Sequence, residues 1–464
     1  TATERVRNPY SDVGCYFITE SDEAPLTVDS TEFVSAFYPT EGDYHSLHEV
    51  DDYAWYHSGR NLYESAPVAT GSYSTYDLSA HDNSGKLTIV MSYDAVGTVS
   101  VEVNDSLVGT INITNGLGNN MKASATTTTF MLNGLLKEDN VIRLRQTAGS
   151  GTMRLDHITL TMTTPAPAPS LTTDAFSTPK LEYRITNQDH HADAAADLVI
   201  IIPTTQKLLS QALRLKQLHE ERDSLRVNIV PADELYNEFS SGTPDANAYR
   251  RYLKMLYDRA ESEDDMPRYL LLFGDGAWDN RMNSTNWRLY SPDDFLLCYE
   301  SENSFSETES YVSDDYFCLL DDGEQIQEWR NGSLTYLGKP DVAVGRFPVR
   351  NIDEAKILVD KTVGYANNEY AGSWQNTLMF MGDDGNNNTH MATADKVATM
   401  VESKYPGYHV KKVYWDAYTR QTSSTGNTYP DVANLIKDQM AEGSLIMNYS
   451  GHGITYGLSH EFVV

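Results

Sequence analysis

The 464-residue chain carries 35 basic and 66 acidic residues, a net charge of −31, with 40% hydrophobic residues. It is too long for one core, so about two to four globular domains are expected. The acid excess is spread along the chain, which argues against a nucleic-acid partner, and no stretch approaches the roughly 18 apolar residues of a transmembrane helix.

The start, TATERVRNPY, has no apolar signal core, so an exported form would have lost its signal. Cys15, Cys298 and Cys318 form neither a disulfide framework nor a zinc pattern, because none stands in a CxxC pair. Thirty tyrosines and abundant Asn, Ser and Thr have the style of an extracytoplasmic bacterial protein.

Residues 1–163 read as an all-β sandwich of jelly-roll type. Lys86–Tyr93, Thr98–Val103, Leu107–Ile113, Thr126–Leu132, Val141–Gln146 and Met153–Met162 are β-branched runs separated by turn clusters such as DNSG and TNGLGNN. Val99, Val101 and Val103 alternate with Ser100, Glu102 and Asn104, which predicts one wet face. Such a module either binds carbohydrate or protein, or braces its neighbour. TTPAPAPS (163–170) can neither hold a helix nor donate regular ladder bonds, so 164–180 is expected to be a linker.

From Asp197 onward strands alternate with helices, the pattern of a parallel, doubly wound α/β sheet. DLVIIIP (Asp197–Pro203) is apolar throughout, as a strand covered on both faces would be. Leu208, Leu209, Ala212, Leu215 and Leu218 recur at helical spacing. Leu225–Val230, a helix over Asp245–Ala260 and the strand YLLLF (Tyr269–Phe273) follow. After an irregular acidic insertion of about sixty residues come DVAVG and a helix from Ile352 capped by Asn351. The cycle resumes with TLMFM, a helix near Met391–Lys404, His409–Tyr414, a helix near Asp431–Met440, and Leu445–Asn448. A break near Tyr370–Trp374 predicts two subdomains, 181–371 and 372–464.

Chemistry gathers at strand ends. SLIMNYSGHG places His452 between Gly451 and Gly453 just past a short apolar strand, so the imidazole projects from a sheet edge. The plain alternative is a structural histidine in a turn. MGDDGNNN follows another strand of the same half, so Asp383 and Asp384 should lie at the same edge. A carboxylate there can fix the imidazole tautomer and leave the other nitrogen to act on a nucleophile. The alternatives are a solvent-facing turn or a calcium site. FGDGAWDNR lacks the third glycine of a dinucleotide loop; Asp275, Asp279 and Arg281 form either an ion-pair and turn network or part of a calcium site. SDDY and Asp321-Asp322-Gly323 read first as turn chemistry, and Arg346 of GRFP reads as an ion-pair partner. Ser450 lacks the G-x-S-x-G elbow, and His460-Glu461 lacks the second histidine of a zincin helix, whose place Val464 takes.

Together, FGDGAWDNR, SDDYF, DVAVGRFPVR with its following helix, MGDDGNNNTH and NYSGHG resemble the gingipain, or C25, family of cysteine peptidases across roughly Asp197–Val464. That resemblance implies a caspase-like α/β fold in two subdomains. NPYSDVGCYFIT (Asn8–Thr19) and the β-rich region are further similar to the gingipain-like sortases of the type IX secretion system. Those enzymes cut the C-terminal signal from exported cargo through a thioester. By motif, the resemblance makes His452 the base, Asp384 the acid that orients it, and Gly453 the residue whose N–H helps polarise the scissile carbonyl. The family's nucleophilic cysteine follows on the next strand, and none of Cys15, Cys298 or Cys318 matches it. The chain is therefore expected to be the N-terminal part of a larger peptidase and inert by itself. His390 or Asp395 falls where arginine-specific members carry a pocket acid.

The resemblance further implies a protein or peptide substrate, outer-membrane secretion partners, and a secreted or outer-membrane-surface location. It requires no cofactor and leaves calcium open at Asp275, Asp279 or Asp383. The alternative from another class is a non-catalytic surface protein whose β-sandwich binds glycan or a secretion partner.

Overall fold

The structure, a computed structural model, describes residues 7–20, 22–24, 31, 45–162, 180–185, 188–326, 328–330, 333–335, 338–424, 426–454, 457–459 and 463. The proline-rich stretch 163–179, His460-Glu461 and Val464 lie outside the described residues. The chain divides into two compact units, Thr1–Val359 and Asp360–Val464. The division falls within a helix, upstream of the expected 371/372 boundary, and the β module shares a unit with the first α/β region.

In the first unit, β1 (His45–Glu49), β8 (Met153–Met162), β3 (Gly85–Tyr93) and β6 (Ser124–Leu132) form one antiparallel sheet in the order β1-β8-β3-β6. β2 (Ser74–Ser79), β7 (Asp139–Gly149), β4 (Gly97–Val103) and β5 (Ser106–Ile113) form the second, in the order β2-β7-β4-β5. Leu87, Ile89 and Met91 of one sheet and Val99, Val101 and Ile142 of the other share one buried cluster, the core of a sandwich. All six expected strands are present; β1 and β2 are additional. Ser100, expected on the wet face, is buried. Its hydroxyl donates to the Arg145 carbonyl oxygen at 3.3 Å, which satisfies the polar group there.

The α/β part of this unit has four parallel strands. β9 (Leu198–Ile202) lies between β10 (Val227–Pro231) and β11 (Tyr269–Phe273), and β12 (Ala343–Phe347) follows β11. Every residue of β9 is buried. Helices α1 (Leu209–Asp223), α2 (Ala232–Phe239) and α3 (Asn247–Asp258) accompany them. Tyr249, Tyr252, Leu253 and Leu256, one stripe of α3, share a cluster with Val199, Ile201, Leu270 and Leu272. The acidic insertion between β11 and β12 ties onto the sandwich. The Lys122 N–H donates to Phe305 O at 2.8 Å, the Arg60 N–H to Ser301 O at 3.1 Å, and the Ser58 hydroxyl to Ser310 O at 2.9 Å.

Helix α4 (Ile352–Ala366) runs through the division between units. In the second unit, β13 (Thr377–Gly382) lies between β14 (His409–Tyr414) and β15 (Ile446–Ser450), all parallel. Helix α5 (Gly385–Lys404) follows β13, and α6 (Pro430–Glu442) precedes β15. Alternate residues of β13 serve two cores: Leu378 and Phe380 pack with Ala398 of α5, while Met379 and Met381 pack with Trp415, Val432 and Ile436. β15 differs from the buried strand its composition predicts. Ile446 is 53% exposed, because β15 is an outer strand of the described sheet.

Candidate active site

Parallel register brings the two sequence motifs of the second unit together. Met381 is level with Tyr449 and Gly382 with Ser450, so the residues that leave the two strands, Asp383 and Gly451, emerge side by side. Asp383 is buried. Its Oδ2 accepts the His452 backbone N–H at 3.0 Å and the Tyr449 hydroxyl at 2.7 Å. The same hydroxyl lies 2.9 Å from the His452 carbonyl oxygen. His452 is thus held through its own backbone, at the N–H and at the C=O. Gly451 is required by this approach: a Cβ there would collide with the Tyr449 hydroxyl and Asp383 Oδ2.

Asp383 Oδ1 accepts the Gly385 N–H at 3.1 Å. Burial alone would raise the Asp383 carboxyl, yet the Tyr449 hydroxyl, the N–H groups of His452 and Gly385, and the nearby His390 imidazole hold it below the usual carboxylate range. His390 Nε2 is 3.9 Å from Asp383 Oδ1. The rings of His390 and His452 meet edge to face, with centroids 4.9 Å apart.

Asp384, expected to orient the imidazole, turns the other way. Its Oδ2 accepts the Tyr429 hydroxyl at 2.9 Å and lies 3.9 Å from Arg420. Successive residues leaving an extended strand point to opposite sides, so only one of the pair reaches the His452 loop, and it is Asp383. The three asparagines that follow, Asn386, Asn387 and Asn388, all adopt left-handed φ between 53° and 63°. Asparagine tolerates that region better than other side chains, and the run kinks the start of α5, beyond which His390 lies beside Asp383. Asp395 is taken by Lys412 Nζ at 2.9 Å and the Tyr414 hydroxyl at 3.1 Å. Gly453 is exposed. Tyr449 and the placement of His390 were not foreseen from sequence; the strand alternation that sets Tyr449 level with Met381 is the signal that could have found the tyrosine.

The remaining motifs interlock within the first unit. Arg346 donates to both carboxylate oxygens of Asp314 at 2.7 and 2.8 Å and to the carbonyls of Gly274 and Leu297 at 3.1 Å. GRFP, SDDY and FGDG therefore meet at one buried guanidinium. Asp275 pairs with Arg350, Asp279 accepts the Ser284 N–H at 2.7 Å, and Arg281 bridges Asp12 and Asp51. Asp275 and Asp279 thus both have protein partners. Cys298 is buried with its thiol donating to Ala277 O at 3.0 Å, and burial pushes it well above the usual thiol range. Cys318 is pushed up to about 12, chiefly by burial and then by Asp315 and Asp314. Neither is a thiolate near neutral pH. Cys15 is exposed.

The family model for peptidase family C25 matches residues 191–464. Among solved structures, the crystal structure of dimeric latent PorU from Porphyromonas gingivalis is similar, with 26% identity and a TM-score of 0.58. The match covers 73% of this chain and 39% of that one, so the chain spans well under half of this relative. A family 35 carbohydrate-binding module from an environmental isolate pairs with 28% of the chain and 98% of its own length, at 20% identity. Its TM-score of 0.20 gives that pairing no weight. No curated protein matches the chain.

Proposed function

Because the chain belongs to peptidase family C25, we propose that its second unit carries the base half of a gingipain-type cysteine endopeptidase site. In this proposal the whole protein is a type IX secretion sortase that removes the C-terminal signal of exported cargo. The observation that carries it is the His452 loop: an imidazole at a parallel sheet edge, its backbone gripped by Asp383 and Tyr449.

In the reaction, His452 takes the proton of a cysteine thiol, and the thiolate attacks the scissile carbonyl carbon. The carbonyl oxygen gathers charge, and the Gly453 N–H is the donor the family motif assigns to it. Collapse expels the amine, which takes the proton from His452, and a thioester remains. Water or an acceptor amine then attacks the thioester and returns the thiol. Asp383, rather than Asp384, is the acid of this arrangement, and it acts by positioning the loop.

The nucleophile in this proposal is a cysteine outside residues 1–464. Supporting this, Cys298 and Cys318 are buried and protonated, and Cys15 lies in the N-terminal segment away from any nucleophile motif. The substrate is protein, as the family implies. The likeness to PorU supports placing the protein outside the cytoplasm, at the bacterial outer-membrane surface with secretion partners there. No helix among the described residues is long and apolar enough to cross a membrane.

The test is labelling of the full-length protein with a thiol-directed peptidyl probe. Labelling should map outside Cys15, Cys298 and Cys318 and disappear in His452→Ala. Undiminished labelling in that variant, or a label on one of the three cysteines, rejects the assignment.

A further inference from the structure

We propose that Asp383, His390 and His452 form a binding site for a divalent transition cation of the zinc type, and that occupancy silences the base. One ligand atom from each residue lies within 4.8 Å of the others. The hollow they enclose can be located from Gly385. A Cβ on that residue would sit 3.1 Å from Asp383 Oδ1, 3.3 Å from His452 Nδ1 and 3.4 Å from His390 Cδ2.

One ring nitrogen bordering this hollow is His390 Nε2. It is buried and makes no hydrogen bond, although a buried polar atom without a partner is costly. Its nearest carboxylate oxygen, Asp383 Oδ1, is 3.9 Å away, too far for a hydrogen bond. A tetrahedral ion with metal–ligand bonds of about 2 Å needs ligand atoms roughly 3.3 Å apart, so from separations within 4.8 Å the three side chains must draw together by at most about 1.5 Å. The two imidazoles meet edge to face, at 85°, rather than stacking.

The carboxylate is supported as metal ligands usually are. Asp383 Oδ2 is engaged by Tyr449 and the His452 N–H, which holds the side chain in place while Oδ1 faces the hollow. Two imidazoles and one carboxylate make a three-ligand set with an open position. It suits zinc and its neighbours, whereas calcium and magnesium prefer oxygen cages. A cation on His452 occupies a ring nitrogen and opposes protonation of the imidazole, which a general base must undergo. Metal binding stands on geometry alone, whereas silencing rests on the peptidase function proposed above.

The experiment titrates chelator-stripped protein with zinc chloride by calorimetry in excess calcium. Wild type should take up one zinc saturably. His390→Phe keeps an aromatic ring but removes its nitrogens, and Gly385→Ala crowds the hollow while leaving all three ligand residues in place. Each should weaken binding by about a hundredfold or more with an unchanged circular dichroism spectrum. No saturable uptake by folded wild type, or unchanged affinity in His390→Phe, overturns the site. In full-length protein, probe labelling should fall as zinc saturates and return with chelator. Labelling that persists at saturating zinc overturns silencing; labelling absent even without zinc defeats the peptidase function, and silencing with it, while calorimetry still decides the metal site.

Discussion

Tyr449→Phe isolates the grip on the His452 loop. The substitution removes one oxygen and keeps the ring, so packing near Trp415, whose ring centroid is 5.8 Å away, is preserved. What is lost is a bond to an ionised, buried carboxylate and a contact to a backbone carbonyl. Hydrogen bonds to charged groups contribute about 1.5–3 kcal/mol, so the second unit should lose roughly that amount. For a domain of about 100 residues this corresponds to a fall in Tm of about 6–15 °C. The assay is urea unfolding of wild type, Tyr449→Phe, Asp383→Ala and the double variant. If the hydroxyl works through Asp383, the double variant should recover a coupling of about 1–2.5 kcal/mol relative to the summed single losses. Additivity to within about 0.5 kcal/mol would show that tyrosine and aspartate act independently and would refute the clamp.

Three further outcomes follow from contacts described above. Gly451→Ala should cost about 1–3 kcal/mol in the same unfolding assay and abolish probe labelling of the full-length protein, since its Cβ collides with both halves of the clamp; wild-type stability would contradict this. Arg346→Met should cost the first unit about 3–5 kcal/mol in urea unfolding, because it leaves the Asp314 carboxylate without its two-point partner, and Arg346→Lys should restore little of it. The Asp383 carboxyl is depressed in the folded state, so the unfolded chain protonates first as pH falls. Its stabilising contribution is therefore complete above the ordinary value of about 3.9 and is lost as pH falls through the lower folded value. The slope of stability against pH below about 4 should flatten in Asp383→Asn, and an unaltered slope would contradict the assignment.

Much of the architecture was legible because its signals are local. LVIII has no polar residue to offer water, and Val99, Val101 and Val103 alternate as a half-buried strand must. β1 and β2 escaped notice because HSLHE and STYDLS lack the β-branched runs that mark strands; tertiary pairing with β8 and β7 makes them strands. At the site, the approach of MGDDG to SGHG followed from both leaving strands of one sheet. Which of two adjacent aspartates faces the histidine did not, because a one-residue difference in where the chain leaves the pleat inverts the answer. Three consecutive left-handed asparagines, which deliver His390, have no periodicity for a sequence reading to find.

The hold on position 452 is exerted on atoms that every amino acid possesses. The Asp383 and Tyr449 contacts grasp a peptide N–H and a carbonyl, so a different side chain there would be presented at the same address without redesign of its surroundings. That makes the loop a mounting for interchangeable chemistry, in which the identity of the working group and the accuracy of its placement are encoded by separate residues.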